Sequence, residues 1–152
     1  MTLALSWSRW SDFAQCPRKF HLKYLSKAKN FQIDDKNKSQ HLVRGQNLHE
    51  QLERYTLWKI DMQEAHKMGQ PFEKVQPPMT PETAALIPAI NMLFQTSEFV
   101  LPETQMAVTK DWNRTEWFGK DAMFRAIMDT IAGRSNHAIL WDYKSGKYQP
   151  YL

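Results

Sequence analysis

The hydrophobic pattern changes period past residue 102, and that change limits the folds open to this chain. Before it, apolar residues recur at helical spacing. Beyond it they gather in three short runs: ETQMAVTKDW (103–112), AMFRAIMDTIA (122–132) and HAILWDYK (137–144). Runs of this length read as strands. GRSN, between the last two, has the composition of a turn. The expected fold is α/β: helices over 1–100, then a mixed, largely antiparallel sheet over 101–152, all within one domain of 1–152.

The helical part is punctuated by local signals. SWSRWSDFAQCPRKFHLKYL reads as a helix with Ser8 as its N-cap, broken or restarted at Pro17. Its aromatics, Trp10, Phe13, Phe20 and Tyr24, form a core-facing stripe with basic residues between them. That interleaving also suits phosphate contact, and Arg18, Lys19 and Lys23 are the candidate nucleic-acid contacts. NFQIDDKNKSQ reads as a polar loop. A long helix follows, with Leu48, Leu52 and Tyr55 on one face, ended by Gly69 and Pro71. A further helix is capped by Thr80 with Pro81 at its first position, and Pro88 is expected to kink it.

Charge is uneven. The chain totals +4, yet residues 1–29 alone carry +5, from Arg9, Arg18, Lys19, Lys23, Lys27 and Lys29 against Asp12. A mildly basic chain points weakly to a nucleic-acid partner. The single cysteine, Cys16, excludes an internal disulfide and a four-cysteine metal site built from this chain alone. No stretch is long enough to span a membrane, and the first residues lack the basic start and apolar length of a signal peptide. A soluble cytoplasmic protein is expected.

Two carboxylates carry the chemistry. Asp129 stands inside the apolar run FRAIMDTIAG, where an acid is costly without a partner. Asp142 lies across the GRSN turn, and Lys144, two positions on, shares its face while Tyr143 looks the other way. Two carboxylates at one end of a sheet need a cation between them, or one must hold a proton. Mg²⁺ suits one or two carboxylates plus water and a substrate phosphate. Lys144 would then orient or deprotonate the attacking water, or stabilise developing charge. The plainer reading is that Asp129 caps the turn or pairs with Arg125, and that Asp142 and Lys144 form a solvated edge. Gly45 and His49 share a helical face; a lone helical histidine is more often structural. HEQLE is not a zinc-protease helix, because Glu53 stands where the second histidine belongs. Glu103, at the opening of the first strand, means little by itself.

Taken in order, these features resemble the RecB-like branch of the PD-(D/E)xK nuclease superfamily. SWSRWSDFAQCPRKFHLKYL is similar to that branch's serine-led opening helix. GQNLH (45–49), ETQ at 103, IMD (127–129) and DYKSGK (142–147) match its Gly-x-x-x-His helix, its strand-opening glutamate, its core Asp and its Asp-x-Lys. Five elements in family order span almost the whole chain. The resemblance implies a restriction-endonuclease-like core and a deoxyribonuclease, usually an exonuclease, using Mg²⁺ or Mn²⁺ in phage or bacterial recombination and repair. It implies His49, Asp129, Asp142 and the Tyr143 carbonyl as metal ligands, Glu103 as an accessory ligand or orienting group, and Lys144 as the catalytic lysine. The alternative is a catalytically silent nuclease-fold module that binds DNA or a partner protein.

Two departures stand out. Some relatives, CRISPR adaptation nucleases among them, hold an iron–sulfur cluster on one early and three late cysteines. The late trio is absent, so no cluster is expected and Cys16 reads as a packed thiol. The family also continues past the Asp-x-Lys with a glutamine-bearing helix and more strand, and Gln149 follows Lys144 too soon to match. The core is therefore expected to be truncated at its C-terminal end, either as part of a longer protein or self-associating through an exposed sheet flank.

Overall fold

The computed structural model describes residues 4–28 and 40–144. The polar loop expected from residue 30 and the KSGK continuation with Gln149 lie almost entirely outside the described residues. The chain divides into two compact units, each discontinuous in sequence. The first comprises 1–38 and 105–127; the second comprises 39–104 and 128–152.

In the first unit, helix α1 (Trp7–Gln15) is capped by Ser6, whose side chain accepts from the Arg9 amide. The cap lies two residues before the expected Ser8. The reason is long-range: Leu5 bridges Phe124, exchanging bonds with Met123 and Arg125, so the chain leaves an extended pairing directly into the helix. Helix α1 stops at Cys16 because Pro17 forces its predecessor into extended backbone. Cys16 then caps α2 (Pro17–Phe20), its sulfur accepting from the Lys19 amide at 3.4 Å. The thiol is thus exposed and capping, a correction to the packed reading; Pro17 supplies an early, preset first turn that needs a cap just before it. A π-helical turn (His21–Leu25) follows. Ala4, Ala107 and Ala122 form a small core beneath Trp117.

The second unit is built on α3 (Gln40–Lys67), which buries Leu48, Leu52 and Tyr55 as their spacing predicts. Gly69, at φ +64, sits where the helix turns off. Thr80 caps α4 (Pro81–Ala84) and accepts from the Thr83 amide. Pro88 does not kink a continuous helix; it sits in the first turn of a new one, α5 (Ile87–Thr96). Without an N–H it is tolerated at a helix start and clashes in an interior. Leu52, Ile90 and Leu93 are fully buried. Each contributes about 1.5–3 kcal/mol of transfer free energy. Val100, Ala132 and Tyr143 close this core.

Four strands follow: β1 (Phe99–Val108), β2 (Arg114–Thr115), β3 (Phe124–Arg134) and β4 (His137–Trp141), in the order β2-β1-β3-β4. The sheet is antiparallel, and the Leu5–Phe124 bridge is its one parallel element among the described residues. Helices followed by such a sheet make the α/β fold that the change of period predicts. Two boundaries move. Strand β1 begins before residue 103, at Phe99, because the Glu98 amide bonds the Gly133 carbonyl at 2.8 Å. Strand β4 stops at Trp141 rather than 144, which leaves Asp142 and Lys144 beyond the ladder. Gly133 belongs to β3: a Cβ there would lie 2.5 Å from the His137 carbonyl oxygen. Among the described residues no helix is long and apolar enough to cross a membrane.

Candidate active site

Three elements of the second unit bring acidic and imidazole groups together. His49 comes from α3, Glu103 from β1 and Asp129 from β3, and one ligand atom of each lies within 4.8 Å of the others. Glu103 takes φ +40, a left-handed backbone inside a strand. That conformation is unfavourable for a non-glycine residue and turns the side chain out of the normal alternation.

The histidine is oriented from both sides. Its Nε2 lies 3.0 Å from the Tyr143 carbonyl oxygen, which can only accept, so Nε2 carries the hydrogen. Its Nδ1 faces Asp129 Oδ1 at 3.2 Å and Glu103 Oε1 at 3.6 Å. Asp129 is also fixed, because the Tyr143 amide donates to its Oδ2 at 2.5 Å. Tyr143 itself is anchored, its buried hydroxyl 2.7 Å from that of Thr130. One residue thus sets two others, its backbone facing the polar cluster and its ring the core. Burial first, then the Asp129 charge, pushes the Glu103 carboxyl above its usual range, with Glu53 adding and His49 opposing. Burial likewise raises the Tyr143 phenol.

This donor set fits a hard divalent cation. Two carboxylates and an imidazole nitrogen converge, and the strain on Glu103 ionisation is of the kind a positive charge relieves. The cluster borders a cleft of about 750 Å³ lined by Gly45, His49, Glu50, Glu53, Glu103 and Lys144, among others.

Of the residues singled out in the sequence, His49, Glu103, Asp129 and the Tyr143 backbone meet. Asp142 does not join the three: its carboxylate pairs with Lys144 Nζ at 2.6 Å, both side chains well exposed. Asp129 has no bond to Arg125, whose guanidinium lies over the Trp117 and Phe118 rings. Arg18, Lys19 and Lys23 belong to the first unit. Arg18 is exposed, whereas Lys19 and Lys23 pair with buried Asp12 at 2.6 and 2.7 Å. Two contributors escaped the sequence reading. Glu53 stands one helical turn past His49, a spacing that could have flagged it. Thr130 had no signal beyond adjacency to Asp129.

A family model described as the PD-(D/E)XK nuclease superfamily matches residues 4–151. No curated protein and no solved structure matches the chain.

Proposed function

The chain belongs to the PD-(D/E)XK nuclease superfamily, and on that premise we propose that it is a divalent-metal-dependent deoxyribonuclease of the RecB-like branch. Membership of a nuclease superfamily points to phosphodiester hydrolysis. The finer reading adds DNA as substrate, exonucleolytic action, Mg²⁺ or Mn²⁺, a role in phage or bacterial recombination and repair, and a cytoplasmic setting. The observation that carries it is the convergence of His49, Glu103 and Asp129 within 4.8 Å on three separate elements.

His49 Nδ1, Glu103 and Asp129 would hold the cation. When bound, it supplies Lewis-acid charge to a phosphodiester and its attacking water. The chain's own groups do the rest. The Tyr143 carbonyl holds the proton of His49 on Nε2, leaving Nδ1 facing the carboxylates. The Tyr143 amide fixes Asp129. Lys144 brings a positive charge, and a proton, to the cleft. Asp142 adds a further ligand only by leaving Lys144. An exposed ion pair is worth about 0–1 kcal/mol, so that exchange is cheap. Arg18, Lys19 and Lys23 are proposed to meet phosphates.

The pairing of Asp142 outside the three ligands favours a second reading, a catalytically silent module that binds DNA. One assay separates them. End-labelled linear DNA is incubated with the chain and Mg²⁺ or Mn²⁺, with and without chelator. The nuclease reading expects metal-dependent degradation, slowed about 10²-fold or more by Lys144→Ala, the usual scale for losing a proton-transfer or charge-stabilising group. Intact DNA with either metal would leave the silent module. Full activity in Lys144→Ala would remove the lysine from the chemistry.

A further inference from the structure

The first unit holds an apolar groove that the metal centre leaves unused. Trp7 and Trp10 of α1, Met106 and Val108 of β1, Trp112, Phe124 and Arg125 line a cavity of about 690 Å³. Its indoles are uncovered: Trp7 is 81% exposed, Trp10 50% and Trp112 74%. Large exposed apolar patches mark binding sites. Trp112 and Phe124 lie parallel, their ring centroids 5.4 Å apart and their planes 10° from coplanar.

The backbone makes Trp112 unusual. It takes φ +62, a region bulky residues avoid. Thr109 locks the turn: its carbonyl accepts from the Trp112 amide, its hydroxyl from the Asp111 and Asn113 amides, and its own amide donates to the Asn113 carbonyl. The chain therefore over-determines an unfavourable conformation whose result is an indole stacked on Phe124 and otherwise open to solvent. Core packing does not explain that, since the ring is mostly exposed. Strain of this kind, maintained by its surroundings, points to a ligand.

Charge identifies the occupant. Residues 1–38 and 105–127 hold twelve Lys and Arg against six Asp and Glu, a balance of +6, while the rest of the chain holds eight against ten, or −2. One cation lines the groove itself, Arg125, whose guanidinium also lies over the neighbouring Trp117 and Phe118 rings. Exposed aromatic faces in a basic setting suit unpaired bases, which stack on any flat ring while their phosphates meet cations. Duplex bases already have stacking partners. An apolar protein helix would gain nothing from the positive charge.

We propose that this groove binds single-stranded DNA by stacking unpaired bases on Trp112 and on Trp7 or Trp10. The proposal rests on the reading of the chain as a DNA-acting protein and adds the strand state it captures.

The test is fluorescence anisotropy with the full chain, in chelator so that nothing is cut. The probes are a labelled single-stranded oligonucleotide, the same strand with abasic positions, its duplex, and an RNA of the same sequence. The single strand is expected to bind tightest. Abasic substitution should cost about 5- to 150-fold for each stacked base lost. Trp112→Ala should cost a similar factor and Trp112→Phe much less. Equal affinity for natural and abasic strands would overturn the proposal even if Trp112→Ala failed to fold. So would tighter binding of duplex or RNA, or a chain that sediments as a dimer and becomes monomeric in Trp112→Ala with DNA affinity unchanged. The two readings fail separately. Stacking without metal-dependent cleavage keeps the groove and loses the nuclease; cleavage with equal affinity for abasic strands does the reverse.

Discussion

The Tyr143 amide holds one oxygen of Asp129 while the other faces His49 Nδ1, and that placement makes Asp129 the central ligand of the proposed metal site. Asp142, exposed and paired with Lys144, stands outside the three converging groups. Asp129→Ala is therefore expected to abolish Mn²⁺ binding in calorimetry, whereas Asp142→Ala only weakens it. Full binding by Asp129→Ala with the fold intact would dismantle the centre. A second carboxylate makes a stability statement. Hydrogen bonds from Lys19, then Lys23 and Tyr24, hold Asp12 well below the usual carboxylate range. A depressed folded value means the unfolded chain takes up the proton first as pH falls. Asp12 thus stabilises fully above about pH 4 and loses that contribution as pH drops through the folded value. Asp12→Asn should melt below wild type at pH 7, with the gap narrowing at pH 3. A gap independent of pH would contradict the assignment.

At the scale of elements, two glycines separate crowding from backbone strain. Gly133→Ala drives a methyl group against the His137 carbonyl oxygen at 2.5 Å and the Phe99 ring at 2.8 Å. The backbone oxygen cannot yield without breaking the hairpin, so a loss of about 1–3 kcal/mol in urea unfolding is expected. Gly69→Ala meets nothing within 4 Å and suffers only from φ +64, so its cost should be smaller, about 1 kcal/mol. Equal costs would mean that the hairpin relaxes around a methyl group. The same contrast governs what the sequence could disclose. Thr80 with Pro81, and the Leu48–Leu52–Tyr55 stripe, depend on neighbours in the chain and were legible. The start of β1 depends on Glu98 meeting Gly133, and the Ser6 cap on Leu5 pairing near Phe124. No local pattern carries those. Asp142 follows the same logic. Hairpin adjacency put it near Asp129, but β4 ends at Trp141, and past the ladder that pairing no longer fixes a side chain. His49, Glu103 and Asp129 were found as ordered motifs; their convergence came from the fold.

At the scale of the whole chain, a net charge of +4 understates the asymmetry. The unit with the carboxylate cluster is acidic, so before a cation binds it repels a phosphate backbone. On the proposed DNA-acting reading, the basic unit supplies the early attraction. Within it Lys19 and Lys23 are already compensated by Asp12, while Arg18 is exposed. Arg18→Gln should therefore lower the slope of log affinity against log salt on single strands by about 0.7, and Lys19→Gln by less. Neutralising the cluster should act on top of this. Ca²⁺ binds oxygen ligands in a loose geometry that positions water poorly, so it should tighten DNA binding without supporting rapid cleavage. Asp129→Ala should lose that gain and, with one repelling charge fewer, bind slightly tighter than wild type in the absence of metal. Anisotropy titrations with and without Ca²⁺ measure both. If Ca²⁺ tightened wild type and Asp129→Ala alike, the cation would be acting elsewhere, and the carboxylate cluster would have no part in admitting the phosphate.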